Sequence, residues 1–168
     1  FVNLVSPGDT VIVCQNGVFG GRMKENVERC GATAVMVQDR WGDPVDPQKV
    51  EEAFAAHPQA NLLAFVHSET STGVRSDAQT LCSIAKANDA LAVVDTVTTL
   101  GGIDLRVDEW GADAVYSGTQ KCLSCVSLTI IQRHCHDVGF FSRSTSWLSD
   151  NQVGGLYALS LVSLRELD

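Results

Sequence analysis

A lysine follows a glycine-containing loop in the segment Tyr116-Ser-Gly-Thr-Gln-Lys121. Most lysines are solvated surface charges, and this is the simpler interpretation of Lys121. A lysine amine that is held in a site can instead lose its proton and attack a carbonyl carbon. Lys121 is therefore a candidate nucleophile for covalent chemistry on a carbonyl compound.

A carboxylate follows the apolar run Leu91-Ala-Val-Val94 directly, at Asp95. A carboxylate at the end of a buried strand needs a partner, because an unpaired buried charge is costly. Asp95 could serve as an ordinary turn or capping residue. The functional alternative is a carboxylate that faces a bound cation.

Hydroxyl groups are concentrated in the segment His67-Ser-Glu-Thr-Ser-Thr-Gly73. Ser71 or Thr72 could cap a helix that leads toward Asp77. The same hydroxyls could also surround an anionic ligand. The sequence leaves both interpretations open.

An aromatic residue, Phe19, stands among glycines in Gly17-Val-Phe-Gly-Gly21. Glycines allow a backbone to approach a ligand closely, and an aromatic side chain there could stack on a planar ring. Packing in the core or on the surface would explain Phe19 equally well.

Short apolar runs alternate with helix-like stretches along most of the chain. The runs are continuous rather than alternating, which is typical of parallel strands covered on both faces. The pattern predicts an α/β fold with a three-layer α/β/α arrangement and a mostly parallel sheet. The predicted strands are 10–14, 33–37, 61–66, 90–94, 112–116 and 126–131, and the predicted helices are 22–30, 46–56, 77–88, a turn at 108–111 and 156–167.

The composition narrows the function classes. The 168 residues carry a formal net charge of −8 and contain no basic run, which argues against a nucleic acid partner. No apolar run reaches the length that a bilayer requires, and no Gly-x-Gly-x-x-Gly or Walker motif follows a strand. Six scattered cysteines favour free thiols in a reducing compartment, so we expect an intracellular, cytoplasmic protein or, in a eukaryote, a peroxisomal or mitochondrial one.

Zinc is an alternative that the sequence raises near the lysine. Cys122 and Cys125 precede the run His134-Cys-His136, and these residue types bind zinc. However, the cysteine pair overlaps a hydrophobic stretch, whereas paired zinc cysteines usually flank turn residues. We therefore expect no metal site.

Four segments together resemble the class V family of pyridoxal-phosphate aminotransferases, in its alanine–glyoxylate or serine–glyoxylate (serine–pyruvate) branch. They are Asn16-Gly-Val-Phe-Gly-Gly-Arg22, His67-Ser-Glu-Thr-Ser-Thr-Gly-Val74, Val94-Asp-Thr-Val-Thr-Thr-Leu-Gly-Gly102 and Tyr116-Ser-Gly-Thr-Gln-Lys121. Their order and spacing also match, and the resemblance covers about residues 1–125. It implies the large domain of the fold type I pyridoxal-phosphate enzymes.

The resemblance assigns a role to six residues. Lys121 would hold pyridoxal 5'-phosphate as a Schiff base and move a proton between the substrate Cα and the cofactor C4′. Asp95 would pair with the protonated pyridine nitrogen. The other four would bind the cofactor: Thr70 near the ring 3′-oxygen, Val97 and Phe19 on the two ring faces, and Gln120 at the phosphate.

The implied reaction is transamination between a small amino acid, alanine or serine, and a 2-oxo acid such as glyoxylate, in a homodimer. Departures from the family suggest a fragment. Its glycine-rich phosphate loop would precede Phe1, and its Tyr-His-His-Thr segment and its small domain with a substrate-binding arginine are not found. Residues 1–125 are thus expected to be a cofactor-binding fragment, and residues 126–168 an atypical segment that partly resembles a later family helix.

Two other functions remain open on the same motifs. One is a different pyridoxal-phosphate chemistry on this fold, such as a phosphonate aminotransferase or a desulfurase-like lyase. Lyases commonly have His before the lysine, and Gln120 disfavours them. The other is a truncated, catalytically impaired family member that binds the cofactor weakly or associates with a full-length subunit.

Overall fold

The described part of the chain forms a seven-stranded sheet with helices on both faces. The computed structural model describes residues 1–126, together with the backbone of 129–133 and 158–160. Four helices and seven strands occur in these residues. The strands are β1 (Thr10–Gln15), β2 (Thr33–Gln38), β3 (Leu62–Val66), β4 (Leu91–Asp95), β5 (Ala114–Gly118), β6 (Thr129–Arg133) and β7 (Ala158–Ser160), and the helices are α1 (Val18–Arg29), α2 (Pro47–Ala56), α3 (Ala78–Ala87) and α4 (Val107–Trp110).

The strands lie in the order β2-β1-β3-β4-β5-β6-β7. The first five are mutually parallel, β6 runs antiparallel to β5, and β7 runs parallel to β6. The chain leaves β1 for β2 on one side and then crosses to β3 on the other. This reversal makes the crevice outside the carboxyl ends of β1 and β3 a topological switch point, where open α/β sheets bind ligands.

Two apolar clusters cover the two faces of the sheet. Alternate residues of each strand point to opposite faces, so Val11 and Val13 belong to one cluster and Ile12 and Cys14 to the other. Helix α1 covers the first face, whereas α2, α3 and α4 cover the second. The mostly parallel three-layer α/β/α arrangement predicted from the sequence is confirmed.

Helix α2 begins where its sequence predicts. The carboxylate of Asp46 accepts a hydrogen bond from Gln48 N at 3.0 Å, and Pro47 occupies the first helical position. Asp77 caps α3 in the same way, through Thr80 N at 3.1 Å. Both helices are amphipathic, and Phe54 and Leu81 are buried against the second face of the sheet.

Two predicted elements differ from the structure. Helix α1 begins at Val18 rather than at Arg22, because the glycines that precede Arg22 lie inside the helix and do not break it. The helix predicted over residues 156–167 is wrong at the three positions that are described, since Ala158–Ser160 is a strand paired with β6. A short apolar run fits either element by its periodicity, and here pairing with the edge of the sheet decides. Most of the atypical segment 126–168 lies outside the described residues. None of the described helices is both long and apolar enough to cross a membrane.

Candidate functional site

The predicted site residues lie where four parallel strands end. Phe19 follows β1, Thr70 follows β3, Asp95 ends β4, and Gln120 and Lys121 follow β5. Because parallel strands end at the same edge of a sheet, the fold gathers these loops around one crevice. We therefore describe the site loop by loop, beginning at β4.

Asp95 is a buried carboxylate at the centre of this edge. It is 5% exposed, and it continues the alternation of Leu91 and Val93, so it faces the side of the sheet that α1 covers. Its Oδ1 accepts a hydrogen bond from Val97 N at 2.9 Å, and the Tyr116 hydroxyl also hydrogen-bonds to it. No cationic side chain lies within 4 Å of this carboxylate in the part of the chain that the structure describes.

The burial of Asp95 changes its acidity. Desolvation raises the pKa of its carboxyl, the negative charge of Glu69 raises it further, and the hydrogen bonds from Val97 and Tyr116 lower it. Burial and the same two carboxylates also raise the pKa of the Tyr116 hydroxyl. The site therefore carries an excess of negative charge and would favour a cationic ligand.

Hydrogen bonds tie the loop after β4 to its neighbours. Thr96 Oγ1 donates to Tyr116 O at 3.0 Å, and Thr98 Oγ1 donates to Ser68 O at 2.7 Å. Cys122 Sγ lies 3.3 Å from Thr98 O. Val97 lies between these anchors and is half-buried, so the loop holds it in place at the crevice.

The loop after β3 contains a buried acid that the sequence analysis did not select. Glu69 is fully buried, and its carboxylate accepts hydrogen bonds from Phe19 N at 2.9 Å and from Ser71 N at 3.0 Å. Thr70, which was predicted to bind the cofactor, is exposed between these two anchored residues. The only signal for Glu69 in the sequence was its place within the hydroxyl-rich segment.

Phe19 lies in the first turn of α1 and is half-buried. It packs against the apolar cluster that includes Tyr116, which brings it to the same face of the sheet as Asp95. The guanidinium of Arg22 lies 5.0 Å from the centroid of its ring, a distance typical of a cation–π contact. A planar ligand would therefore stack on the opposite face of the ring.

Lys121 and Gln120 lie in the turn that follows β5. Lys121 N donates to Gly118 O at 3.4 Å and Ser124 N to Lys121 O at 3.0 Å, so the backbone folds back directly after the strand. The side chain of Lys121 is exposed, and within the described chain it forms no ion pair with Asp95 or any other acid. Gln120 is also exposed, and its amide lies over Gly118.

His67 directly follows β3 and faces the opposite side of the sheet, where Trp110 lies. Its ring packs edge-on against Trp110 at 5.4 Å between centroids, and Nδ1 lies 3.2 Å from Thr99 Oγ1. Burial lowers the pKa of His67 to about 4, so the ring is neutral at pH 7. His67 therefore links the loops after β3 and β4 on the face of the sheet opposite to Asp95. It was not selected from the sequence.

The zinc alternative gains no support from the geometry of its first two residues. Cys122 Sγ and Cys125 Sγ each lie against a backbone carbonyl, of Thr98 and of Leu123 respectively. No cluster of three metal-binding side chains occurs among the described residues. Residues 134–136, which would complete the set, lie outside them.

Comparison with known proteins identifies the family. A model of the family "aminotransferase class-V" matches residues 2–135. The chain is 41% identical to a protein of a Synechococcus species named as the small subunit of a soluble hydrogenase, over 71% of this chain and 32% of that protein. It is 39% identical to the (S)-ureidoglycine–glyoxylate transaminase of Bacillus subtilis, over 74% of this chain and 30% of that one.

A solved structure shows the same relationship. The crystal structure of an alanine–glyoxylate aminotransferase from a Nostoc species superimposes with a TM-score of 0.72 at 36% identity, over 75% of this chain and 33% of that one. The chain thus spans about a third of the length of the curated relatives that it matches. The four motifs, the parallel sheet and the family match agree, and the chain belongs to the class V aminotransferase family.

Proposed function

We propose that this chain binds pyridoxal 5'-phosphate through Lys121 and takes part in the transamination of a small amino acid with glyoxylate. The observation that carries the proposal is the buried Asp95, whose carboxylate has no cationic partner among the described residues. A buried carboxylate of this kind is costly unless a cation arrives to pair with it. The protonated ring nitrogen of pyridoxal phosphate is such a cation.

The other five residues fit the same ligand. Phe19 and Val97 are half-buried side chains at the crevice and would hold the two faces of the ring. Thr70 and Gln120 are exposed at the ends of β3 and β5, where they can donate to the ring oxygen and to the phosphate. Lys121 follows β5, and this strand pairs with β4 so that Tyr116 lies opposite Asp95. Lys121 and Asp95 therefore lie on neighbouring strands and would bind different ends of one cofactor in the same crevice.

When it is bound, pyridoxal phosphate withdraws electrons from the substrate Cα and so stabilises the carbanion that forms there. Asp95 would keep the ring nitrogen protonated, and the charge of Glu69 would add to its effect. Lys121 would hold the cofactor covalently until the substrate amine displaces it, and its freed amine would then move the proton of the substrate Cα. Loop contacts such as Thr98 with Ser68 would keep these groups aligned.

The substrates are proposed from the relatives. Several relatives are named as glyoxylate transaminases or aminotransferases, with ureidoglycine, aspartate or alanine as the amino donor. We propose alanine or serine as the donor and glyoxylate as the acceptor for this chain, and a homodimer as its assembly. Other pyridoxal-phosphate chemistry on this fold and a catalytically impaired fragment are the alternatives.

The order of product release tests the proposed reaction. The protein is loaded with pyridoxal phosphate and mixed with alanine alone. Transamination predicts one equivalent of pyruvate per bound cofactor and no free ammonia, with further pyruvate and an equal amount of glycine only after glyoxylate is added. In a parallel sample with serine, a lyase would release ammonia continuously without glyoxylate, whereas transamination would release one equivalent of the 2-oxo acid. No 2-oxo acid from either alanine or serine would contradict transamination by this chain.

A further inference from the structure

Glu69 is a buried carboxylate to which the proposed reaction assigns only the effect of its charge. It is 0% exposed, and no cationic side chain lies within 4 Å of it in the described residues. Its acceptors are instead occupied by three donors: Phe19 N on Oε2 at 2.9 Å, and Ser71 N and Ser71 Oγ on Oε1 at 3.0 and 2.8 Å. The carboxylate therefore links the loop after β3 to the start of α1.

This link replaces the ordinary cap of α1. The residue before the helix is Gly17, which has no side chain to accept from the free N–H groups of the first turn. Ser71 Oγ accepts from Val18 N at 3.0 Å while it donates to Glu69, so the two side chains together cap the helix from another loop. The positive end of the helix dipole favours the negative charge of Glu69.

The approach of the two segments is close enough to require glycine at position 17. A Cβ added to Gly17 would overlap Glu69 Cγ and lie 2.6 Å from Ser71 Oγ. This glycine is therefore needed for close approach and not for an unusual backbone angle, because its φ of 178° is available to any residue. The contact of Gly17 with the side chains of Glu69 and Ser71 therefore sets the position of α1 relative to the loop after β3.

The loop that carries Glu69 is itself held firmly. Glu69 N donates to Val74 O at 2.9 Å, and Glu69 O accepts from Gly73 N at 2.7 Å. Ser68 pairs with Arg75 in an isolated antiparallel bridge, and Ser68 O accepts from Thr98 Oγ1. Glu69 thus joins the first turn of α1 to a loop that is already fixed to the loop after Asp95.

We infer that Glu69 is a positioning residue, which holds Phe19 where its side chain can stack on a face of a planar ring whose nitrogen pairs with Asp95. This inference rests on the proposed function, because it assumes that Phe19 stacks on the cofactor. Phe19 N is the donor to Glu69, so the anchored atom belongs to the residue that would contact the ring. Loss of this bond would release the first turn of α1 and leave Phe19 less well placed.

The substitution Glu69→Gln tests the inference with little change in shape. Glutamine keeps one acceptor oxygen but places an NH2 donor against either Phe19 N or Ser71, and so breaks one side of the link. Amide exchange, measured on the cofactor-free protein by NMR, should be faster at Phe19 or, if the NH2 faces Ser71, at Val18, whose acceptor is Ser71 Oγ, and it should be unchanged at Val27 in the same helix. Glu52→Gln, on the exposed face of α2, is the matched control and should change none of these amides.

Cofactor affinity distinguishes positioning from a purely structural role. Titration with pyridoxal phosphate should show affinity about tenfold weaker in Glu69→Gln than in the wild type, the effect of one lost bond to a charged group. If Glu69 acts through Phe19, the same change made in a Phe19→Leu background should weaken binding by less than about threefold. Equal losses in both backgrounds, or no loss in either, would overturn the inference.

A second substitution covers the case in which Glu69→Gln does not fold. Ser71→Ala removes the acceptor of Val18 N but leaves Glu69 in place, and it should speed exchange at Val18 and weaken cofactor binding about threefold. No change in either quantity would refute the link. A wild-type protein that does not bind the cofactor at all would instead refute the proposed function.

Discussion

Asp95 and Glu69 place two negative charges in a part of the site that water hardly reaches. Glu69 has the start of α1 as its partner, whereas Asp95 has only one backbone N–H and the Tyr116 hydroxyl. The remaining cost of burying Asp95 is recovered when a cation binds. At the scale of the residue, stability without the cofactor and affinity for the cofactor therefore oppose each other.

The substitution Asp95→Asn should change the stability of the cofactor-free protein and its affinity for the cofactor in opposite directions. Burial raises the pKa of Asp95 above its unfolded value of 3.8, so the folded protein holds this proton more tightly than the unfolded chain does. The contribution of Asp95 to the free energy of unfolding therefore falls as the pH rises from the unfolded pKa through the folded pKa. Asparagine cannot ionise, and the cofactor-free variant should unfold at a higher temperature than the wild type at pH 7. Its affinity for pyridoxal phosphate should fall at least about tenfold, since the partner of the ring nitrogen is lost.

Thermal unfolding with and without the cofactor measures both effects. Asp104→Asn, at an exposed surface ion pair with Arg106, is the control and should change neither quantity appreciably. A lower unfolding temperature for cofactor-free Asp95→Asn, or unchanged cofactor affinity, would contradict the assignment of Asp95.

His67 gives the protein a second dependence on pH, of opposite sign. Its pKa is about 4 when folded and 6.5 when unfolded, so the unfolded chain binds the extra proton between these values. Stability from this group is complete above about pH 6.5 and falls by up to about 3 kcal/mol as the pH drops to 4. His67→Asn should be less stable at pH 7, through lost packing on Trp110, but should lack this slope.

Urea unfolding at several pH values tests the assignment. The comparison is between the pH dependence of the free energy of unfolding in the wild type and that in His67→Asn. A His67→Asn protein with an unchanged slope would show that another group is responsible.

At the scale of the elements, α1 determines the geometry of the crevice. Its first turn carries Phe19, and Gly17 and Gly20 let it approach the sheet and the loop after β3. A Cβ at Gly20 would lie 2.5 Å from Cys14 O, so the helix packs directly on the backbone of β1. Glycine at position 20 is a requirement of packing, since the backbone of β1 cannot move aside as a flexible side chain can. At position 17 the neighbouring atoms belong to the side chains of Glu69 and Ser71, which their own hydrogen bonds hold in place.

Gly17→Ala and Gly21→Ala form a matched pair for this requirement. Alanine at 17 would overlap Glu69 and should destabilise the protein by about 2 kcal/mol or more. Alanine at 21 would meet only the flexible end of Gln15, at 3.1 Å, and should be neutral or stabilise α1 by about 0.5–1 kcal/mol. Urea unfolding measures both, and equal stability of the two variants would refute the role of close approach at Gly17.

The difference between the two glycines also shows what the sequence could predict. Strands β1 to β5 and helices α2 and α3 were predicted to within one or two residues, because continuous apolar runs and Asp caps are local signals. Strand β6 begins three residues later than predicted, and β7 lies in a segment predicted as a helix. The start of α1 was missed by four residues. Its cap is supplied by Glu69 and Ser71, about 50 positions away, and a glycine that allows close packing looks the same in a sequence as one that breaks a helix.

The same limit applies to the site. Lys121, Asp95 and Phe19 were selected from local motifs, and Thr70, Val97 and Gln120 were assigned by the family resemblance. The fold places all six at one edge of the sheet. The roles of Glu69 and His67 depend on tertiary contacts, with α1 and with Trp110, that no local pattern reveals. The assignment of the six residues to a cofactor remains a proposal.

At the scale of the whole molecule, one topological feature brings the site together. The order of the strands reverses at β1, because β2 lies on one side of it and β3 on the other. Strands β3, β4 and β5 then follow in order, so the loops after four parallel strands meet at the same edge of the sheet. All of the proposed cofactor residues lie within residues 19–121, although the chain spans about a third of its relatives. The central claim is therefore testable on this chain as it stands.

The most direct measurement is the identity of the lysine that pyridoxal phosphate labels. The chain has four lysines; Lys24 and Lys49 are held in ion pairs at 2.6 Å, and Lys86 lies in the last turn of α3. After incubation with the cofactor and reduction with borohydride, peptide mapping should place the label on Lys121, with Lys86→Ala unchanged and Lys121→Ala unlabelled. Label spread over the four lysines, or its persistence in Lys121→Ala, would contradict the account.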